Sequence, residues 1–172
     1  MMVNKWDKFY TGVEARRPYG DSQTYALGAV FLKGLSVEDW GCGLGWFQNF
    51  HKDAYIGVDG SCSKFASVHT DLTKYTSKTD GLFMRHILEH NHDWRWVLKN
   101  AVESFQKRMV LVLFTPFSNE THVLRESVPG IPDISFRKED LLDFIGPFVC
   151  REESVKTQTQ YGQEHVFYLE TP

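Results

Sequence analysis

The chain has 172 residues, 42% hydrophobic and 24% charged; that balance supports one continuous core and excludes a disordered chain, and no apolar run approaches bilayer length. The formal charge of -3, with no basic cluster longer than Arg16-Arg17, argues against a nucleic-acid partner. Cys42, Cys62 and Cys150 are odd in number and widely spaced, which excludes a disulfide framework and zinc-ligand spacing and fits a reducing cytoplasm. No charged-then-apolar leader opens the chain, so the expectation is a soluble, cytoplasmic protein without a membrane partner.

Residues 1–20 mix Trp6, Phe9, Tyr10 and Tyr19 with Lys5, Lys8, Arg16 and Arg17, and Pro18-Tyr-Gly-Asp21 marks a turn. Asp21 or Ser22 can cap a helix running to about Lys33, with Tyr25, Ala29 and Leu32 on one face and Gly34 ending it.

Residues 36–45 read Ser-Val-Glu-Asp-Trp-Gly-Cys-Gly-Leu-Gly, and residues 54–59 read Ala-Tyr-Ile-Gly-Val-Asp. Together they predict a buried strand, a glycine turn opening a helix, and a second strand ending in the acid Asp59, the first half of a nucleotide-binding α/β unit. Gly41, Gly43 and Gly45 let the main chain approach a ligand closely. A triphosphate loop requires Lys and a hydroxyl residue after the last glycine, where this chain has Trp46 and Phe47. The dinucleotide fingerprint requires glycine at position 46, and the acid Asp39 sits two residues before the turn, where it repels a pyrophosphate and attracts a cation. A tight turn with no ligand remains the alternative.

Gly60-Ser61-Cys62-Ser63 forms a turn before a short apolar step that ends at Asp71-Leu72. Residues 80–90, Asp-Gly-Leu-Phe-Met-Arg-His-Ile-Leu-Glu-His, begin as a buried parallel strand. Asp93 caps a helix carrying Val97, Leu98, Ala101, Val102 and Phe105 at helical spacing. The segment joining them lies at a strand's carboxyl end, where open α/β sheets bind ligands. His86, Glu89 and His90 also spell H-x-x-E-H, which in zinc peptidases needs both histidines on one helical face; here the first directly follows a strand.

Residues 108–115 predict a central buried strand stopped by Pro116. Residues 117–135 lack periodicity and predict a long irregular connection suited to substrate contact. Ser135 caps a helix over 136–145 that Gly146-Pro147 ends, and strand-like runs near 148–157 and 165–170 close the chain as an antiparallel hairpin.

The run Asp39-x-Gly41-Cys42-Gly43-x-Gly45, with Asp59 closing the next strand, resembles motif I and its partner acid in class I S-adenosylmethionine-dependent methyltransferases. The Leu-Glu-His phrase at 88–90 resembles the segment after their fourth strand. The resemblance implies an α/β fold: a Rossmann-like, seven-stranded, mostly parallel sheet with a C-terminal antiparallel hairpin, in a three-layer sandwich. It implies one domain over residues 1–172, with a cap segment and helix (1–34), a cofactor-binding core (35–115), a substrate-side loop (116–135) and a C-terminal helix and hairpin (136–172). The cofactor implied is S-adenosyl-L-methionine. Asp39, Gly41, Cys42, Gly43 and Gly45 would hold its methionine part and Asp59 both ribose hydroxyls, with Gly60 and Ser61 also among the cofactor-binding residues. Asp71 and Leu72 would meet the adenine, and Met84, Arg85 and His86 would form the floor beneath the sulfonium. The lead-in would fold over the cofactor, with Tyr10 and Tyr19 either lining the site or packing.

Methyl transfer from a sulfonium is an in-line displacement whose leaving group is already activated, so positioning in a dry pocket carries most of the acceleration. His86 or His90 is the candidate general base, since imidazole titrates near neutrality; satisfied loop histidines are the alternative. Arg85-His86-Ile87 replaces both the Asn or Asp with prolines of amino-methylating relatives and the Pro-Cys of cytosine-carbon methylation. The expected acceptor is therefore a small molecule, first an oxygen of a sugar or other metabolite, second an amine. Two other readings are a catalytically silent module that binds S-adenosylmethionine, and a zinc hydrolase using His86, Glu89 and His90.

Overall fold

Strand β1 (Val37–Trp40), every residue of which is buried, lies inside a seven-stranded sheet with a neighbour on each side. The structure is a computed structural model that describes residues 4–172; the first three residues of the lead-in lie outside the described residues. On one side β1 pairs in parallel with β2 (Tyr55–Asp59), which pairs in parallel with the short β3 (Val68–His69). On the other it pairs in parallel with β4 (Thr79–Arg85), which pairs in parallel with β5 (Phe105–Leu113). The last two strands enter as described below, giving the order β3-β2-β1-β4-β5-β9-β8.

The predicted hairpin is β8 (Val149–Lys156) and β9 (Gln163–Glu170). The final strand β9 inserts antiparallel between β5 and β8. A continuous apolar run explains the placement: β9 carries Val166, Phe167, Tyr168 and Leu169, all buried, whereas β8 exposes most of its residues. The charged, exposed β8 then forms the sheet edge, which discourages further strand pairing.

Both faces of the sheet are covered. Leu82, Met84, Met109, Leu111 and Leu113 pack toward helix α3 (Trp94–Ser104) and helix α4 (Lys138–Ile145). Phe83, Val110 and Val112 point to the opposite face, with Tyr25 of helix α2 (Gln23–Phe31), after the short helix α1 (Asp7–Tyr10). Continuous apolar runs in β4 and β5 are what burial on two faces demands. The result is the three-layer, Rossmann-like arrangement expected.

Several boundaries differ from the sequence reading. No α-helix follows the glycine turn: one 3-10 turn, Trp46–Asn49, replaces it, and Phe47 drops onto Phe83 with ring centroids 3.8 Å apart. Helix α2 starts after Ser22 as expected but ends at Phe31, before Lys33; the Ser22 hydroxyl accepts the Trp46 indole N–H (2.9 Å), and Asp21 Oδ1 accepts the Gln23 amide (3.2 Å). Strand β5 starts at Phe105, so α3 ends one residue earlier than the apolar spacing suggests.

Residues 116–135 are not an irregular loop. They contain an antiparallel pair, β6 (His122–Val128) and β7 (Ile131–Ser135), joined at Pro129-Gly130. Two register shifts interrupt this pair, and bulges erase the period of two that a strand shows in sequence. Strand β7 is buried throughout, with Ile134 in the core. Ser135 therefore belongs to β7, its hydroxyl donating to the Pro116 carbonyl (2.6 Å), and α4 begins only at Lys138.

Candidate active site

The connections leaving β1 and β4 diverge from adjacent strands, which opens a crevice at their carboxyl ends. A cleft of about 840 Å³ occupies it, a size suited to a cofactor-sized molecule and more. One end is lined by the glycine turn, Asp59, Gly60, Asp71 and Leu72; the other by His86, His90, Phe114 and Asp133.

The turn is built from its own hydrogen bonds. The amides of Gly41 (2.7 Å) and Cys42 (3.2 Å) both donate to the Val58 carbonyl. That of Gly45 donates to the Cys42 carbonyl (2.8 Å), and that of Gly43 to Asp59 Oδ2 (2.9 Å). Gly41 holds φ at +72°, and a Cβ there would lie 2.0 Å from Ile87 Cδ1, so glycine is required both by the backbone and by the neighbour. These four amides are thus already taken up by acceptors within the protein. A phosphate cradle needs such amides pointing outward at a helix start, and here a short 3-10 turn follows instead.

Asp59 receives a second amide, from Ser61 to Oδ1 (2.8 Å). An ionised carboxylate offers about four lone-pair sites, so acceptor capacity remains on each oxygen in a residue that lines the cleft. Asp39 is placed differently from the expectation of direct cation contact. It lies beneath the turn, absent from the cleft lining, and its Oδ2 accepts the Tyr55 hydroxyl (2.8 Å). Burial pushes its carboxyl up to about 7, with the Tyr55 bond pulling against that shift and the Asp59 charge adding to it.

Gly45 and Ser61 also stand behind the cleft wall; Gly45 abuts Phe65, and Ser61 accepts a hydrogen bond from His69 Nδ1 through its carbonyl (2.8 Å). Cys42, Gly60, Asp71 and Leu72 line the cleft, Asp71 Oδ1 accepting from the amide (2.9 Å) and hydroxyl (2.7 Å) of Thr73. Met84 does not form a floor. Strand alternation turns it into the core on the α3 side, while Arg85 faces α2 and the cleft. The lead-in closes over the turn: Asn4 Nδ2 donates to the Gly60 carbonyl (2.7 Å), and the Asp7 carboxylate accepts the Cys62 amide (2.7 Å). Tyr10 and Tyr19 both line the cleft.

His86 and His90 occupy the other end without sharing a ligand point. His86 Nε2 lies 2.5 Å from Glu164 Oε1, whereas His90 Nδ1 meets the Pro132 carbonyl (2.9 Å) and lies 3.4 Å from Asp133 Oδ1. Glu89 turns away from both: its Oε1 accepts the Phe114 amide (2.6 Å) and clasps the ends of β4 and β5. The H-x-x-E-H pattern thus gives three separate contacts, and among the described residues no group of three or more His, Cys, Asp or Glu could hold a metal. Burial lowers both histidines, His86 well below 6.5 with the Arg85 charge contributing, so both rings are neutral at neutral pH. Phe114 packs against the His86 ring (4.7 Å) and the His90 ring (5.4 Å), and Trp6 edges onto His90 (5.2 Å).

Sequence reasoning missed Glu164, buried behind His86, and, at the cleft, Asp133 and the polar run Gln158-Thr159-Gln160. Only the last carried a signal, a turn between two strand-like runs.

No family model matches the sequence, and no curated protein matches it. Solved structures do match the fold. Burkholderia thailandensis 1,6-didemethyltoxoflavin-N1-methyltransferase, with 1,6-didemethyltoxoflavin and S-adenosylhomocysteine bound, superposes with a TM-score of 0.67 at 14% identity, covering 88% of this chain and 79% of that one. The fold is that of the class I S-adenosylmethionine-dependent methyltransferases. Magnesium protoporphyrin IX methyltransferase from Synechocystis PCC 6803, with S-adenosylhomocysteine bound, matches with a TM-score of 0.63 at 15% identity over 88% of this chain and 83% of that one. The N-methyltransferase NodS from Bradyrhizobium japonicum WM9 matches with 0.56 at 13% identity over 87% and 85%. In this methyltransferase fold the cleft runs along the carboxyl edge of β1, β2 and β4. No helix among the described residues is long and apolar enough to cross a membrane.

Proposed function

We propose that this chain is an S-adenosylmethionine-dependent methyltransferase acting on an oxygen, or an amine, of a small metabolite or sugar. The observation that carries the reading is the Asp59 carboxylate at the end of β2, with acceptor capacity in a residue that lines the cleft, beside a turn four of whose amides are taken up within the protein. That donor set fits a ribose diol and lacks a phosphate cradle. The solved neighbours bind S-adenosylhomocysteine within the same fold.

Gly41, Cys42 and Gly43 would hold the methionine part, Asp59 the ribose hydroxyls, and Asp71 with Leu72 the adenine. Asp39, one layer behind the turn, acts on a cationic ligand through space. The cofactor, when bound, supplies an electrophilic methyl group on a sulfonium. The protein's part is to orient the acceptor, exclude water and accept a proton. Of the two neutral histidines, His86 follows β4 directly beside Arg85, and its Nδ1 has no partner among the described residues; it is the base in this reading. His90, Phe114, Trp6 and Gln160 line the acceptor end.

Isothermal titration with S-adenosylhomocysteine, NAD and ATP tests the ligand. Binding of the first alone is expected; preference for NAD would overturn the assignment. A panel of hydroxylated and amine acceptors, read by S-adenosylhomocysteine release, then separates an enzyme from a binding module that has lost turnover.

A further inference from the structure

Three side chains converge on one buried oxygen behind the cleft wall that Arg85 and His86 line. Glu164, fully buried on β9, presents Oε1 to His86 Nε2 (2.5 Å), Arg85 Nη2 (2.8 Å) and the Thr24 hydroxyl (3.1 Å). Arg85 is itself held from behind, its Nε donating to Thr24 Oγ1 (2.9 Å), its Nη1 to the Tyr25 hydroxyl (3.0 Å), and its guanidinium lying over the Tyr25 ring at 4.2 Å. The cluster thus spans α2, β4 and β9, and each member has its geometry set by another.

The arrangement decides a tautomer. An ionised carboxylate only accepts hydrogen bonds, so the ring nitrogen facing it must carry the proton. The neutral imidazole then has its lone pair on Nδ1. His86 also adopts φ of +58°, rare for a residue with a Cβ, and its amide is tied to the Val112 carbonyl (3.0 Å). Left-handed backbone at a site wall is kept only where neighbours over-determine it, and here it turns the ring out of the strand line.

We propose that Glu164 is a positioning residue for the reaction: it holds His86 as the Nε2–H tautomer and presents Nδ1 to the acceptor as the proton-accepting atom. This rests on the methyltransferase reading. The acceptor's O–H proton passes to Nδ1 as its oxygen lone pair forms the new bond to the methyl carbon. The C–S bond pair returns to sulfur, leaving a neutral thioether. The positive charge that entered on the sulfonium ends on the His86 imidazolium, next to the Glu164 carboxylate, before the proton leaves to solvent. Burial pushes the Glu164 carboxyl up, and the Arg85 guanidinium, 2.8 Å from Oε1, pulls against that shift and favours the ionised form.

The first test needs neither variant nor cofactor. Long-range proton–nitrogen spectra of the full chain with labelled histidine are expected to show His86 protonated at Nε2 and bare at Nδ1; the opposite tautomer overturns the proposal. In Glu164→Gln the carboxamide can donate as well as accept, so a mixture of tautomers is expected, and an unchanged signal counts against Glu164. With an acceptor in hand, Glu164→Gln and His86→Ala are each expected to lower kcat about 100-fold or more, the usual share of a general base, while S-adenosylhomocysteine affinity stays within twofold. The double variant should be no slower than His86→Ala; multiplied losses would show that Glu164 does not act through His86. Failure of S-adenosylhomocysteine to bind the parent chain would sink the methyl-transfer reading, and the proton step with it, whatever the tautomer.

Discussion

The amide of Gly43 and the carboxylate of Asp59 meet at 2.9 Å, joining the glycine turn after β1 to the end of β2. The bond fixes the turn's height over the cleft and orients the acid. Through it, one residue serves both the fold and the site.

Replacing that acid separates the two roles. Asp59→Ala is expected to weaken S-adenosylhomocysteine binding by about 1–3 kcal/mol, the cost of leaving hydroxyls without a charged acceptor. Titration calorimetry on the folded variant measures it, and unchanged affinity would contradict the ribose role. Asp59→Asn, which can keep one of the two amide bonds, should bind between Ala and the parent.

Gly41→Ala tests whether the turn is shaped by Ile87 as well as by backbone angle. Both Gly41 (+72°) and Gly130 (+79°) have positive φ, but only at Gly41 would a Cβ meet a neighbour, at 2.0 Å. Strain of about 1 kcal/mol or more is expected at either site, and Gly41→Ala should lose clearly more in denaturant melts. Equal losses would mean that Ile87 moves aside freely.

Phe47→Ala should cost about 3–5 kcal/mol, the range for a buried ring. Phe47 is fully buried and stacked on Phe83 at 3.8 Å, and it is the buried residue of the 3-10 turn that follows the glycines. Urea unfolding measures the loss; a value below about 1 kcal/mol would show that the turn collapses to fill the space.

Stability should also carry a pH signature from Glu89. Burial pushes this carboxyl up to about 8, although the Phe114 amide donates to it. The folded state then holds a proton that the unfolded chain has released. Its contribution is complete below the unfolded pKa and is lost as pH rises through the folded value, so it declines from about pH 4.5 to about pH 8. Asp39, pushed up to about 7, acts in the same direction, while His86 and His90, held neutral by burial, act in the opposite one. The measurement is therefore the difference in Tm between Glu89→Gln and the parent across that window. The variant should gain on the parent as pH rises, and a constant difference would show that Glu89 does not titrate there.

Local chemistry in the sequence determined a large part of this protein. Alternating and continuous apolar runs placed five parallel strands and the closing hairpin, and the glycines with Asp59 marked the cleft, because turn geometry and strand burial depend on neighbours a few residues away. Tertiary structure decided the rest. Asp39 withdrew from the ligand because Tyr55, on the adjacent strand, supplies its hydrogen bond. Bulges hid β6 and β7 from any periodicity. Glu164 reached His86 across 78 residues because β9 inserts antiparallel beside β5, and strand order in a sheet is set by which long-range pairing buries most apolar surface, a quantity no short window of sequence contains.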